Sequence, residues 1–131
     1  MHPVITGATG ALISLLFLAL SARVAGLRHS ERIGIGDGGN KVLSRAIRAH
    51  GNLAEHASLI LLLMLCYELS GGAQWLLIVS GVTLVVARLL HALGLLRSAG
   101  TSFGRTWGVG LTWLVLLLLS LANLGLLFRS A

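Results

Sequence analysis

The sequence predicts an all-α, transmembrane four-helix bundle, and three observations carry that prediction. Apolar runs at Val4–Ala22, Leu53–Leu69, Trp75–Leu96 and Trp107–Phe128 approach or reach the length needed to cross a hydrocarbon core. Hydrophobic residues make up 56% of the chain and charged residues only 11%, a balance at which a soluble domain this small cannot cover its apolar surface. The 17 glycines and single proline suit helices joined by tight connections. No stretch is long enough for a second domain, so residues 1–131 read as one unit.

The first helix is expected over about residues 4–28. The leading MHP holds no Lys or Arg and the apolar run is long for a leader, so it reads as a span, although Ala19, Leu20 and Ser21 would make a passable cleavage site. Gly7, Gly10 and Ala11 are expected to permit close helix packing. In the linker HSERIGIGDGGN, Gly34, Gly36 and Gly39 match G-x-G-x-x-G by letter. A dinucleotide fingerprint needs a preceding strand and a βαβ unit, and here an apolar helix precedes it. A tightly turned loop is the expectation.

Asp37 or Asn40 is the expected N-cap of a second helix over about 40–69. Its apolar part is the shortest of the four, because Glu55 and His56 interrupt it. The turn SGGA leads to a third helix over about 73–97, and the connection SAGTSFG leads to a fourth over about 105–129. Trp75, Trp107 and Trp113 are expected at interfaces or in packing, Asn123 as an interhelical hydrogen-bonder, and His29 and Arg32 as solvated loop residues.

The formal net charge is +6, but its distribution argues against nucleic acid as the partner. With four spans, Arg23, Arg28, Arg32, Lys41, Arg45, Arg48, Arg97 and Arg105 gather on one side, and Arg129 stands alone on the other. By the positive-inside rule the two basic connections face the cytoplasm and the termini face outward. Anionic lipid headgroups are natural partners for such a surface. Cys66 is the single cysteine, so no disulfide forms within the chain, and its apolar surroundings disfavour a reactive thiol.

The densest chemistry lies in RAIRAHGNLAEHASLILLLMLCY, residues 45–67. At about 100° per residue, Arg45, Arg48, Asn52 and Glu55 share an arc of about 80°. His56 borders that stripe and His50 points elsewhere. On the third helix, Arg88 and His91 lie one turn apart, with apolar residues for more than a turn before Arg88. Ionised groups facing lipid cost several kcal/mol, about 2.5 or more near mid-bilayer, so these side chains should turn inward and pair. Glu55 is the expected partner of Arg88. One carboxylate cannot balance Arg45, Arg48 and Arg88 together, and such excess guanidinium charge is what an anion site requires, a task arginine suits because its planar fork binds carboxylates bidentately.

The pattern R-A-I-R-A-H-G-N-L-A-E at 45–55, followed by A-R-L-L-H-A-L-G at 87–94, resembles the MAPEG family, the membrane-associated proteins in eicosanoid and glutathione metabolism. Small bacterial members are the most similar, and the preceding GDGGN and the chain length agree. The resemblance covers essentially the whole sequence. It implies a homotrimer in the bacterial inner membrane, with glutathione bound as co-substrate between neighbouring subunits and open to the cytoplasm.

Residue by residue, the resemblance implies that Arg48, Asn52 and Glu55 hold glutathione and that Arg23 lies near its thiol. It gives His91 a ligand-contacting position. Arg105 best matches the arginine that stabilises the thiolate, with Arg97 as a competitor. Arg45, Arg48 and Arg88 would take the carboxylates and Glu55 the ammonium. His56 joins the ligand set, and His50 serves either the ligand or a subunit interface. Differences from the family pattern are Leu95 where eukaryotic synthases carry tyrosine, His56 where an aromatic is common, Ser58 where bacterial relatives often have proline, and Gly51 where the prostaglandin E synthase branch has arginine. They argue against prostaglandin and leukotriene synthesis.

The expected function is a glutathione transferase or peroxidase acting on lipophilic electrophiles or hydroperoxides that arrive through a cleft between helices 1 and 4, with no metal and no haem. A non-catalytic lipid-binding or scaffold protein of the same fold is the alternative. A four-helix multidrug transporter would need an acidic residue in helix 1, and Val4–Ala22 has none. Bis-histidine haem ligation by His56 and His91 would colour the preparation.

Overall fold

The computed structural model describes residues 2–98 and 100–130, with the side chains of Leu127, Arg129 and Ser130 outside the description. Ala99, within the SAGTSFG connection, also lies outside the described residues, as does the Arg129 side chain expected at the terminal end. Four helices follow in order: α1 (Val4–Glu31), α2 (Lys41–Leu69), α3 (Gln74–Arg97) and α4 (Phe103–Ser130). Each contains a window long and apolar enough to cross a membrane. Among the described residues there is no strand.

The helix ends follow from local chemistry. Asn40 caps α2, its Oδ1 accepting the backbone N–H groups of Val42 and Leu43 at 2.9 and 3.1 Å. Asp37, the other candidate, instead accepts from Gly39 N–H at 3.0 Å inside the loop. That backbone N–H, with the Ser44 side chain, holds the Asp37 carboxyl below its ordinary range. The four glycines of the linker make a turned loop, and Gly36, Gly38 and Gly39 take φ of 71°, 57° and 79°. Helix α1 runs to Glu31, past the expected end near 28, and stops where Arg32 turns left-handed at φ 55°. Helix α4 starts at Phe103, earlier than expected, because Ser102 accepts from Arg105 N–H through Oγ and from Thr106 N–H through its carbonyl.

Helices α2 and α3 form the centre. Helix α1 packs against both on one flank and α4 packs against both on the other, and among the described residues α1 and α4 are not in contact. Among the described residues, the expected cleft between helices 1 and 4 does not form within one chain. Two central helices are wide enough to hold the flanking pair apart. Leu43, Ile60, Met64, Leu77, Leu84 and Leu119 are fully buried between the helices. Leucines such as Leu12, Leu15 and Leu18 on α1, and Leu117, Leu121 and Leu124 on α4, point outward, where lipid replaces water as solvent. The small residues Gly7 and Ala11, expected to mediate close packing, lie on the exposed face of α1. The close approach of α1 comes at Thr9, whose Oγ1 would clash with a Cβ built on Gly81 of α3.

One contact of the terminal end was not anticipated. Pro3 offers no side-chain cap to α1, and the first N–H groups of a helix have no partner within it. Glu68, near the end of α2 and 9% exposed, fills that role from a different helix, its two carboxylate oxygens accepting Ile5 N–H at 2.9 Å and Thr6 N–H at 2.8 Å. The positive end of the α1 dipole favours the same carboxylate. Asn123 behaves as expected, joining α4 to α2 by donating to the Leu63 carbonyl at 3.1 Å. Glu68→Ala is expected to lower unfolding free energy by about 2 kcal/mol and to speed amide exchange at Ile5 and Thr6 above all other sites. Detergent unfolding and hydrogen exchange check both effects.

Candidate functional site

The polar stripe of α2 divides in two. Arg45, Asn52 and His56, on its inward edge, are half-buried against the neighbouring helices, while Arg48 and Glu55 on the outer edge are exposed on the single chain. An arc of about 80° is wider than one helix contact can cover. At the end of the bundle carrying the connections, the start of α2, the end of α3 and the start of α4 enclose a cleft of about 230 Å³. It is lined by Ser44, Arg45, Arg48, Leu95, Ser98 and Arg105. Three guanidinium side chains converge there, and no described carboxylate lines the space. The Arg45 Nε is buried without a hydrogen-bond partner.

About two helical turns deeper along α2, Arg88 ties three helices together. It is 1% exposed. Its Nη1 donates to Asn52 Oδ1 at 3.1 Å and to the Asn52 carbonyl at 3.4 Å, and its Nη2 donates to the Gly108 carbonyl on α4 at 3.2 Å. The expected Glu55–Arg88 ion pair is not formed. Glu55 lies on the outer edge of the stripe, whereas Asn52, one turn earlier on the inner edge, faces α3. Arg88 is thus solvated by neutral oxygens, its charge is uncompensated by any described carboxylate, and its Nε has no partner.

Histidines extend this network. His56 Nδ1 donates to the Asn52 carbonyl at 3.1 Å. His91, 6% exposed, donates from Nδ1 to the Arg105 carbonyl at 3.3 Å. A carbonyl only accepts, so the proton is on Nδ1, and in the neutral ring Nε2 is a buried lone pair without a partner. His50 is not drawn into this cluster. It packs on Phe17 of α1, with ring centroids 4.3 Å apart at 42°.

The remaining expected residues separate. Arg23 is exposed on α1. Arg105 lines the three-arginine cleft and donates from Nη1 to the Gly100 carbonyl, which fixes the α3–α4 connection. Arg97, its competitor by sequence, opens into a different cleft of about 290 Å³ with Leu90, Leu93, Ser102 and Phe103. The two arginines therefore serve different faces of the α3–α4 pair.

What brings Gly108 within reach of Arg88 is a close helix crossing whose signal was present in the sequence and unread. Residues 104–108 are GRTWG, the small-xxx-small spacing that lets membrane helices approach. A Cβ built on Gly108 would lie 2.7 Å from the Ala87 carbonyl and from His91 Cβ, and one on Gly104 would lie 2.7 Å from the Leu90 carbonyl. On the facing helix, a Cβ on Gly94 would meet Arg105 N at 2.8 Å. Thr112, one turn on, completes the seam by donating to the Gly108 carbonyl at 2.6 Å. A Gly108→Ala side chain would push on backbone that has no room to give. It is expected to cost about 1–3 kcal/mol and to loosen Arg88 from α4, as chemical denaturation and the exchange rates of α3 amides would show.

Sequence comparison bears on this arrangement directly. The MAPEG family model matches residues 6–125. The chain is also 38% identical over 113 residues to Inner membrane protein YecN of Escherichia coli strain K12, an alignment covering 86% of this chain and 85% of the relative. The same values hold for Inner membrane protein YecN of Escherichia coli O6:H1. The match spans all four helices, the Arg88–Asn52–Gly108 junction and the arginine-lined cleft, and on it the chain is a multi-pass membrane protein that belongs to the MAPEG family.

Proposed function

We propose that the chain is a glutathione-dependent enzyme of the bacterial inner membrane, of transferase or peroxidase type, acting on lipophilic electrophiles or hydroperoxides. The observation that carries this reading is the cleft where Arg45, Arg48 and Arg105 converge without a lining carboxylate. Family membership supports it, since MAPEG proteins include glutathione-related enzymes. The basic end of the bundle faces the cytoplasm by the positive-inside rule, where a soluble tripeptide would enter.

Glutathione carries two carboxylates, an ammonium and a thiol. Arg45 and Arg48 suit the carboxylates because a guanidinium forks onto both oxygens. Arg88 acts from beneath, holding Asn52 in place. Glu55 and Arg48 are exposed on one chain, and α1 and α4 stand apart on opposite flanks. A homotrimer accounts for both facts. A neighbouring copy would cover the outer edge of the stripe and bring its own helix against this one, making between subunits the cleft that one chain lacks. Glu55 would then meet the ammonium there, with Arg23 of α1 near the thiol.

The thiolate is the nucleophile. Arg105 would stabilise it by the charge of its guanidinium. In the transferase reaction the sulfur bonds to an electrophilic carbon and the leaving group departs with its electron pair. In the peroxidase reaction the sulfur takes the distal hydroperoxide oxygen and an alcohol is released; a second glutathione then yields the disulfide and water.

Leu95 favours a second reading, a lipid-binding or scaffold protein without turnover. It is 5% exposed and lines the cleft, giving an apolar wall where the synthases of the family carry a tyrosine hydroxyl. Turnover of chlorodinitrobenzene by the purified protein separates the two readings. Glutathione binding without turnover would favour the scaffold.

Arg105 also anchors Gly100, so its test needs two variants. Arg105→Ala is expected to reduce the ultraviolet absorbance of bound glutathione thiolate and to slow conjugation by about 100-fold, the equivalent of about 2.7 kcal/mol. Arg105→Lys is expected to keep most of the thiolate. Equal loss in both variants would mean that Arg105 only holds the loop, and undiminished thiolate in Arg105→Ala would remove it from the chemistry.

A further inference from the structure

The cleft that takes Arg97 is not part of the site described above. Its floor is formed by Leu90 and Leu93 of α3, its rim by Arg97, Ser102 and Phe103, and it measures about 290 Å³. Leu93 is 46% and Phe103 74% exposed, so the floor continues into the lipid-facing surface. Arg97 is the last residue of α3 and Phe103 the first of α4, which places the rim at the edge of the hydrocarbon core. One end is thus apolar and lipid-facing, while the other offers a guanidinium and a hydroxyl. No acidic residue stands in the first turn of α4. Trp107, one turn past Phe103 and with its ring 5.8 Å from that ring, adds the amphipathic aromatic pair that suits the headgroup level.

We infer that this cleft is a site for an anionic phospholipid, the phosphodiester held by Arg97 and Ser102 and the upper acyl chain lying along Leu90 and Leu93. A zwitterionic lipid presents the same phosphate with a compensating cation beside it, so the preference is for headgroups with net negative charge. The inference is independent of whether glutathione binds, because the two clefts share no lining residue.

Trp107 supplies the readout. In a Trp75→Phe/Trp113→Phe background it is the only tryptophan of the chain. In vesicles, acyl-brominated phosphatidylglycerol is expected to quench it with about fivefold higher apparent affinity than brominated phosphatidylcholine, the contribution of about one cation near the surface. Arg97→Gln should abolish that preference and Ser102→Ala should weaken it. Lys41→Gln, an equal charge change at an exposed position on α2, should leave it intact. Equal quenching by the two lipids would overturn the proposal, as would a preference that survives Arg97→Gln or is lost equally in Lys41→Gln. Relief of quenching by inorganic phosphate would mark a site for a soluble anion and overturn the lipid assignment.

Discussion

A guanidinium buried in a membrane bundle must find oxygen, and the fold is organised around how Arg88 finds it. Three hydrogen bonds run from Arg88 to Asn52 on α2 and to Gly108 on α4. Arg88 is 1% exposed, so losing any partner leaves a buried charged donor unsatisfied. Neutral oxygens spread the charge without cancelling it, and that residual positive field is felt where Arg45, Arg48 and Arg105 already converge. Packing and electrostatics therefore share one cause.

The glycine seam between α3 and α4 is the condition for this arrangement. Backbone must come close for a carbonyl to act as a guanidinium acceptor, and only residues without Cβ allow it at Gly94, Gly104 and Gly108. The same seam sets His91 against the Arg105 carbonyl, so the first turn of α4 is held by α3 from within the bundle and by Gly100 from the connection. At the opposite end, Glu68 ties α1 to α2 by a carboxylate in place of a guanidinium. Both ends use a polar side chain of one helix to satisfy the backbone of another, which is where a bilayer gives backbone groups no substitute.

Much of this was legible in the sequence. Length and hydropathy gave four helices, Asn40 gave the start of α2, and the period of α2 placed Arg45, Arg48, Asn52 and Glu55 on one stripe with His56 at its border. What failed was the choice of partner. Periodicity fixes an azimuth about one helix and says nothing about how the next helix is rotated, so Glu55 and Asn52 were indistinguishable as mates for Arg88. Glu68 was invisible for the same reason, since a cap contributed by a distant helix has no local spacing. Arg97 and Arg105 are separated by a turn too irregular for periodicity to assign faces. The GRTWG spacing could have been read, and would have predicted the α3–α4 seam.

A double-mutant cycle on Arg88→Gln and Asn52→Ala, read from unfolding free energies in mild detergent, tests this organisation most directly. If Arg88 is fastened through Asn52, the two losses overlap and the coupling is about 1–2 kcal/mol. Strictly additive losses would mean that the two side chains act separately, and the junction on which the site rests would not exist.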